Sequence, residues 1–282
     1  MLIMAALMHH ADDERQRLRL FTLNVSGPSL ERASRILGYL SGLDPDVIVL
    51  TETRGAPGTR LLLDAFRSSG YTVIAPTDQL IGERGVAIIH RVRSLVVTHD
   101  VRTPDLAYRL LITELGDEAP IALVGAYVPS RDASAEKIER KRSFLNQMLD
   151  LLRTLSAHEH IVLMGDFNIV DRNHVPRYSS FRSWEYEALA AIRECGLVEA
   201  FSELHPDSAA YSWYGRTGDG YRYDYGFVSR PLVGELYDCE YVDAPRHLGI
   251  SDHSGLLMTI QPSCTGVLEI AAPRAERQAV LL

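Results

Sequence analysis

Ile161-Val162-Leu163-Met164-Gly165-Asp166-Phe167-Asn168 is a short apolar run that stops on a carboxylate and an amide two positions apart. An unbroken apolar run of this length reads as a strand covered on both faces, so the chain needs material packed above and below it. Four other segments bring polar or ionisable residues to the ends of predicted strands: Thr22-Leu23-Asn24-Val25, Val49-Leu50-Thr51-Glu52-Thr53, Arg222-Tyr223-Asp224-Tyr225 and Ser251-Asp252-His253. Together the five segments supply two amides, four carboxylates and one imidazole. Carboxylates gathered at strand ends repel one another unless a cation lies between them, which points to a divalent metal centre. A metal, a carboxylate base and a histidine side by side make a hydrolytic centre.

Outward from that stretch the pattern repeats. Leu18 to Val25 alternates as a strand, and Ser29 then caps a helix whose apolar side carries Ile36, Leu37 and Leu40. Asp46 to Leu50 is a second covered strand, and Leu61 to Phe66 a second helix stopped by Gly70. Strands are predicted at Tyr71–Ala75, Gly85–His90, Ser94–Val97, Tyr108–Leu115 and Ile121–Val128. Ala133 to Leu155 is the longest helix: Ile138, Leu145, Met148 or Leu149, Leu152 and Leu155 face the core, and Lys137, Arg140, Lys141 and Arg142 are placed on the opposite, solvated side. Trp184 to Cys195 gives another helix; Tyr225–Val228, Leu236–Val242 and Leu256–Ile260 complete the strands. Many strands with helices in the connections predict an α/β (α+β) fold of two packed β-sheets covered by helices.

Of the 282 residues, 46% are apolar and 23% charged, an ordinary globular balance. No linker-like composition interrupts residues 18–261, so one catalytic domain is predicted over 17–261, between an N-terminal extension, 1–16, and a C-terminal tail, 262–282, in which Val267-Leu268-Glu269-Ile270 could add a strand. The apolar start, Met1 to Met8, is too short for a spanning helix and lacks the preceding basic residues of a signal peptide. Cys195, Cys239 and Cys264 are odd in number and share no C-x-x-C spacing, which argues against a disulfide framework or thiolate metal site and suits a reducing compartment. The expected location is cytoplasmic, with no membrane and no obligate protein partner. Net charge is −8, with the acidic surplus almost wholly after residue 150; this counts against tight, non-specific duplex binding but not against a local basic groove. His9, His10, His99, His158, His160 and His205 have no zinc-type spacing and are left out of the site.

In this order the motifs resemble the exonuclease III (abasic-site endonuclease-like) branch of the endonuclease/exonuclease/phosphatase superfamily. The resemblance runs from about Leu18 to Ile260 and rests on Asn24 in Leu-Asn-Val, Glu52 in Thr-Glu-Thr, Tyr127 in Ala-Tyr-Val-Pro, Asp166 and Asn168 in Gly-Asp-Phe-Asn, Asp224 in Arg-Tyr-Asp-Tyr, and Asp252-His253 in Ser-Asp-His. It implies a four-layer αββα sandwich of two mixed sheets flanked by helices, with the site at one end. It also implies a Mg²⁺-dependent phosphodiester hydrolase, with Mn²⁺ as an alternative ion. Glu52 and Asp252, with Asn24, would hold the metal and neutralise the phosphate. Asp166 is the candidate base or water holder, and Asn168 a hydrogen-bond donor to a phosphoryl oxygen or an orienter of Asp166. His253, its tautomer fixed by Asp224, would donate to the scissile phosphate, which Tyr127 would also touch.

Substrate is read from the rim. Trp213, Tyr221 and Tyr223, with Arg222 between the latter two, fall where the repair enzymes place the pocket for an abasic sugar, and aromatics there can stack on a base. Lys137, Arg140 and Lys141 could track a phosphate backbone or form a solvated face. Three departures concern the loops: the 213–222 connection is short, Ser26 stands where Asp or Asn is usual, and Ser130 where Asn or Gln is usual. Substrate choice in this superfamily lies in such loops. The leading expectation is a nuclease acting on DNA, at abasic sites or 3′ ends. The alternative is a phosphodiesterase or phosphatase for a small phosphoester such as a nucleotide, sugar phosphate or lipid headgroup. A catalytically silent binding module is disfavoured by the intact residue set.

Overall fold

The computed structural model describes residues 17–76, 79, 82–93, 108–117, 119–155, 158–261, 267, 268 and 270–273. In chain order the strands are β1 (Leu18–Asn24), β2 (Val47–Thr53), β3 (Thr72–Ile74), β4 (Gly85–His90), β5 (Leu110–Leu115), β6 (Ile121–Tyr127), β7 (His160–Asp166), β8 (Leu197–Glu199), β9 (Trp213–Tyr214), β10 (Gly220–Tyr221), β11 (Asp224–Ser229), β12 (Leu236–Val242) and β13 (Gly255–Ile260). The helices are α1 (Leu30–Leu43), α2 (Pro57–Ser68), α3 (Ala135–Leu155), α4 (Ser183–Glu194), α5 (Ala200–Leu204), α6 (Arg230–Val233) and α7 (Ala244–His247).

One sheet has the order β12-β13-β1-β2-β4-β3, the other β5-β6-β7-β11-β8, and β9 and β10 form a separate hairpin. Both sheets are mixed, because β1 runs parallel to β2 and β6 parallel to β7 while their other neighbours are antiparallel. Three apolar clusters fill the three gaps between four layers. Phe21, Leu23, Ile36, Leu40, Leu62 and Phe66 lie between the first sheet and α1 and α2. Leu20, Val49, Val86, Leu123, Val162 and Met258 lie between the sheets. Val124, Phe144, Met148, Leu163, Leu189 and Phe227 join the second sheet to α3 and α4. This is the αββα sandwich predicted from the sequence. Each of these side chains removes its apolar surface from water, about 1.5–3 kcal/mol apiece.

Local signals account for the helices. Ser29 accepts the Arg32 N–H as the α1 N-cap, and Asp44 closes α1 in a left-handed conformation, its N–H bonded to the Leu40 carbonyl. The predicted strand at Ser94–Val97 lies outside the described residues. Val267 makes an isolated antiparallel bridge to Val92, two residues beyond β4. Among the described residues no helix is long and apolar enough to cross a membrane.

Candidate active site

Topology delivers the key side chains to one end of the sandwich. Asn24 and Glu52 lie at the C-terminal ends of the parallel neighbours β1 and β2, and Tyr127 and Asp166 at those of β6 and β7, where they are register partners. Asp224 and His253 arrive from the opposite sense. They stand at and just before the starts of β11 and β13, which run antiparallel to their neighbours, so two of the five segments begin strands rather than end them. Asp224 is the register partner of Asp166.

The backbone is bent to aim these groups. Glu52 is the extra residue of a bulge: Thr51 pairs with Val86 and Thr53 with Gly85, leaving Glu52 unpaired at φ +55°. Asn168 (φ +50°) and Ser26 (φ +48°) are also left-handed, a conformation that costs a non-glycine residue about 1–3 kcal/mol and is held only by its surroundings. Gly165 (φ +145°) has no room for a side chain, since a Cβ there would fall 2.0 Å from the Ala126 carbonyl oxygen. That close approach lets β6 and β7 run together to the site.

At the centre, Asp166 is fully buried. Its Oδ2 accepts from Asn24 Nδ2 at 2.9 Å and Asn168 Nδ2 at 3.3 Å, and its Oδ1 accepts the Asn168 N–H at 2.9 Å. Burial, then the neighbouring Asp224 charge, raises the Asp166 pKa against the opposing pull of His253. His253 Nδ1 is 2.7 Å from Asp224 Oδ2, and its Nε2 is 3.4 Å from Asn24 Nδ2. Burial opposes the imidazolium, but the Asp224 carboxylate outweighs it and lifts the His253 pKa to about 9. Ligand atoms of Asp166, Asp224 and His253 all lie within 4.8 Å of one another, a grouping that could hold a metal ion.

Beside this cluster, Glu52 Oε1 accepts two hydrogen bonds, from Tyr127 Oη at 2.8 Å and Arg84 Nη1 at 2.6 Å. Burial and then the charges of Glu52 and Asp166 raise the Tyr127 pKa, so the phenol keeps its proton as a donor. Asp252 is exposed and accepts from Trp213 Nε1 at 3.2 Å. Glu52, Asn168, Asp252 and His253 all line an open cavity of about 330 Å³, which is also lined by the aromatics Trp213, Tyr223 and Phe181 and by Arg131, Lys141 and Glu185. Asn24 borders the cluster but uses both ends of its amide within the protein: its Oδ1 accepts the Ser26 N–H at 2.9 Å while Nδ2 holds Asp166.

Two expected rim residues lie elsewhere. Arg222 turns away from the cavity: it packs over the rings of Phe201 and Tyr225, donates to Ser202 Oγ and stands 3.7 Å from Glu199, beside a second cavity. Tyr221 lies behind the aromatic lining, stacked between Tyr178 (4.1 Å) and Tyr223 (5.2 Å), and supports the lining residue instead of being one. The basic start of α3 is also not one solvated face. Lys137 pairs with Asp132 and Arg140 with Glu83, but Lys141 is buried, donating to the Asn168 carbonyl and to Glu185 Oε1, each at 2.7 Å. Glu185 also binds Arg131, and despite burial these two cations hold its carboxyl below the usual range.

Sequence reasoning missed Arg84 and Ser212, and it named Lys141 and Ser251 without the roles that the structure gives them. Lys141 carried a usable signal, because 138, 141, 145, 148 and 152 form one helical stripe that is otherwise apolar. Ser251 Oγ donates to the Asn24 carbonyl and accepts the His253 N–H, clasping β1 to the histidine. Ser212 Oγ accepts the N–H groups of Tyr223 and Asp224, and its carbonyl accepts that of Ser254. A lone serine in a loop gives no sequence sign of such a role.

Comparison with known proteins gives three kinds of likeness. The chain is 26% identical over 242 residues to an exodeoxyribonuclease of Bacillus subtilis, covering 78% of this chain and 92% of that protein. It is 26% identical over 245 residues to the DNA repair nuclease APEX1 of Danio rerio, covering 80% and 78% respectively. An AP endonuclease structure from Archaeoglobus fulgidus superposes with a TM-score of 0.73 at 24% identity, covering 87% of this chain and all of that one, and shares the fold. The model of the endonuclease/exonuclease/phosphatase family matches residues 21–253, from β1 through His253, and so spans every candidate site residue described above. The chain therefore belongs to the endonuclease/exonuclease/phosphatase family, on its exonuclease III-like branch, and is a hydrolytic phosphoesterase.

Proposed function

We propose that this chain is a Mg²⁺-dependent nuclease (Mn²⁺ serving as a substitute) that hydrolyses phosphodiesters of DNA at abasic sites or 3′ ends, with residues 17–261 as the catalytic unit. One observation carries the reading: Trp213, Tyr223 and Phe181 line the same open cavity as Glu52, Asp252 and His253, and Trp213 donates to Asp252 itself. Flat rings beside a hydrolytic cluster suit a nucleobase or a sugar that has lost one. The relatives named as an exodeoxyribonuclease and a DNA repair nuclease agree with a DNA substrate.

The donor set fits a hard divalent cation. Glu52 and Asp252 offer carboxylate oxygens at the cavity, with Asp166 and Asp224 close by. We assign the ion to Glu52 and Asp252; Asn24, bonded as it is, orients Asp166 rather than presenting a free oxygen. When bound, the ion neutralises the phosphate and polarises its oxygens. Asp166, with a pKa raised toward neutrality, takes the proton of the attacking water, and Asn24 and Asn168 hold it in place. His253, protonated and oriented by Asp224, donates through Nε2 to a non-bridging phosphoryl oxygen. Tyr127 gives its one phenolic proton to Glu52 and so steadies that carboxylate.

The competing reading, a small phosphoester, draws on the short turn between β9 and β10 and on the net charge of −8. Purified protein with Mg²⁺ is incubated with an abasic duplex, a 3′-recessed duplex and a panel of small phosphomonoesters, with Asp166→Ala as the control. Strand scission lost in Asp166→Ala is the expected result. Release from a small ester with no scission at any enzyme level would overturn the DNA reading.

A further inference from the structure

Arg84 Nη1 sits 2.6 Å from Glu52 Oε1 and 3.2 Å from Tyr127 Oη, so a guanidinium occupies the cation side of the very carboxylate assigned above to the ion. We propose that Arg84 is a built-in counter-ion for the metal position. It neutralises Glu52 while the protein is metal-free, leaves Glu52 when a divalent ion binds, and then donates to a phosphate oxygen of the substrate. The inference rests on the assignment of the ion to Glu52.

Three observations support it. First, both donors to the carboxylate converge on the single oxygen Oε1. Those two donors take up both lone-pair directions of Oε1, so an ion that ligates this oxygen replaces one of them. Second, the backbone need not move for the exchange. Arg84 immediately precedes β4, and Gly85 is the register partner of Thr53, so the residue is fixed beside the Glu52 bulge. Its side chain, however, is 36% exposed against 11% for Glu52, so the arginine is the partner with open space to turn into. Third, the charges ask for a replacement. With Arg84 in place the Glu52 pair is neutral; a divalent ion replacing it leaves a positive site and a freed guanidinium, and a phosphodiester supplies the missing anion.

It follows that metal and phosphate each favour the other's binding, because the group displaced by the first becomes a ligand of the second. Such coupling is reciprocal. Arg84 thereby suppresses ion binding to the empty protein and promotes it with substrate present.

The test is Mn²⁺ binding followed by the electron paramagnetic resonance of the free ion, with and without an uncleavable phosphorothioate-linked oligonucleotide. The proteins are wild type, Arg84→Gln, Arg84→Lys and Glu52→Gln, each first checked for an unchanged thermal melt. Arg84→Gln is expected to bind Mn²⁺ about two- to fivefold more tightly without oligonucleotide, the size expected for release of a partly exposed ion pair. It should also lose most of the gain that the oligonucleotide gives wild type, and Arg84→Lys should stay near wild type. Unchanged or weaker Mn²⁺ affinity in Arg84→Gln, with Glu52→Gln abolishing binding, would overturn the role of Arg84 alone. Glu52→Gln binding Mn²⁺ as wild type does would overturn the assignment of the ion to Glu52 itself.

Discussion

Replacing Lys141 with methionine separates what its buried ammonium does for stability from what it does for the site. Nζ gives one hydrogen bond to Glu185 and one to the carbonyl of Asn168, and both carboxylate and ammonium are almost wholly out of water. Removing one member of a buried pair costs about 3–5 kcal/mol, because the other charge stays behind. Arg131 and the Arg182 N–H still hold Glu185, which sets the loss at the lower end, about 3 kcal/mol. For a domain of this size that lowers the melting temperature by roughly 6–12 °C. The second bond has a different consequence. Asn168 is left-handed and holds Asp166 through both its N–H and its amide, so a freed carbonyl lets the pair drift. Small misplacements of a catalytic group reduce rate more than binding, and kcat is expected to fall about tenfold with KM little changed. Adding Glu185→Gln takes the counter-charge from Arg131 as well and should restore no stability, while leaving kcat low. Urea unfolding and single-turnover cleavage measure the two quantities. A Lys141→Met protein within about 1 kcal/mol of wild type would refute the energetic argument; full kcat in the double variant would refute the positioning one.

Other outcomes follow from the same geometry. Gly165→Ala places a methyl 2.0 Å from the Ala126 carbonyl at a φ of +145° and should destabilise the fold by about 3–5 kcal/mol, read by urea unfolding. Ser212→Ala leaves two N–H groups without their acceptor and should cost about 2 kcal/mol, with a lower kcat because Asp224 is one of the two. In metal-free protein the His253 ring, followed by NMR, should titrate near pH 9, and Asp224→Asn should bring that value down. The sign for stability follows. The folded pKa lies above the unfolded one, so the His253–Asp224 contribution is complete below about pH 6.5 and is lost as pH rises through about 9. Stability of Asp224→Asn that declines over this window as steeply as wild type would contradict it.

The layers were legible because their strands are unbroken apolar runs and their helices carry clean stripes. Val47 to Leu50 and Ile161 to Met164 could be covered on both faces only in a multilayered molecule. The polar cluster was legible because each member sits at the edge of such a run. What escaped was everything fixed by long-range pairing. Arg84 meets Glu52 only through the register of β2 with β4, thirty-two positions away. Arg222 and Tyr223 are neighbours in the connection between β10 and β11, yet they line different cavities. Lys141 was misplaced by its residue type, which overrode its position on the apolar stripe.

The left-handed turns at Ser26, Glu52 and Asn168 also bear on how this enzyme could be engineered. Glycine would relax the backbone at each of them, by up to about 1 kcal/mol per site. At position 52 that gain is opposed by the loss of the acceptor for Tyr127 and Arg84, and a screen rewarding heat resistance alone puts no weight on the carboxylate's proposed role at the metal. Selection rounds that alternate survival with turnover would hold that residue in place and direct stabilising changes to the outer helices.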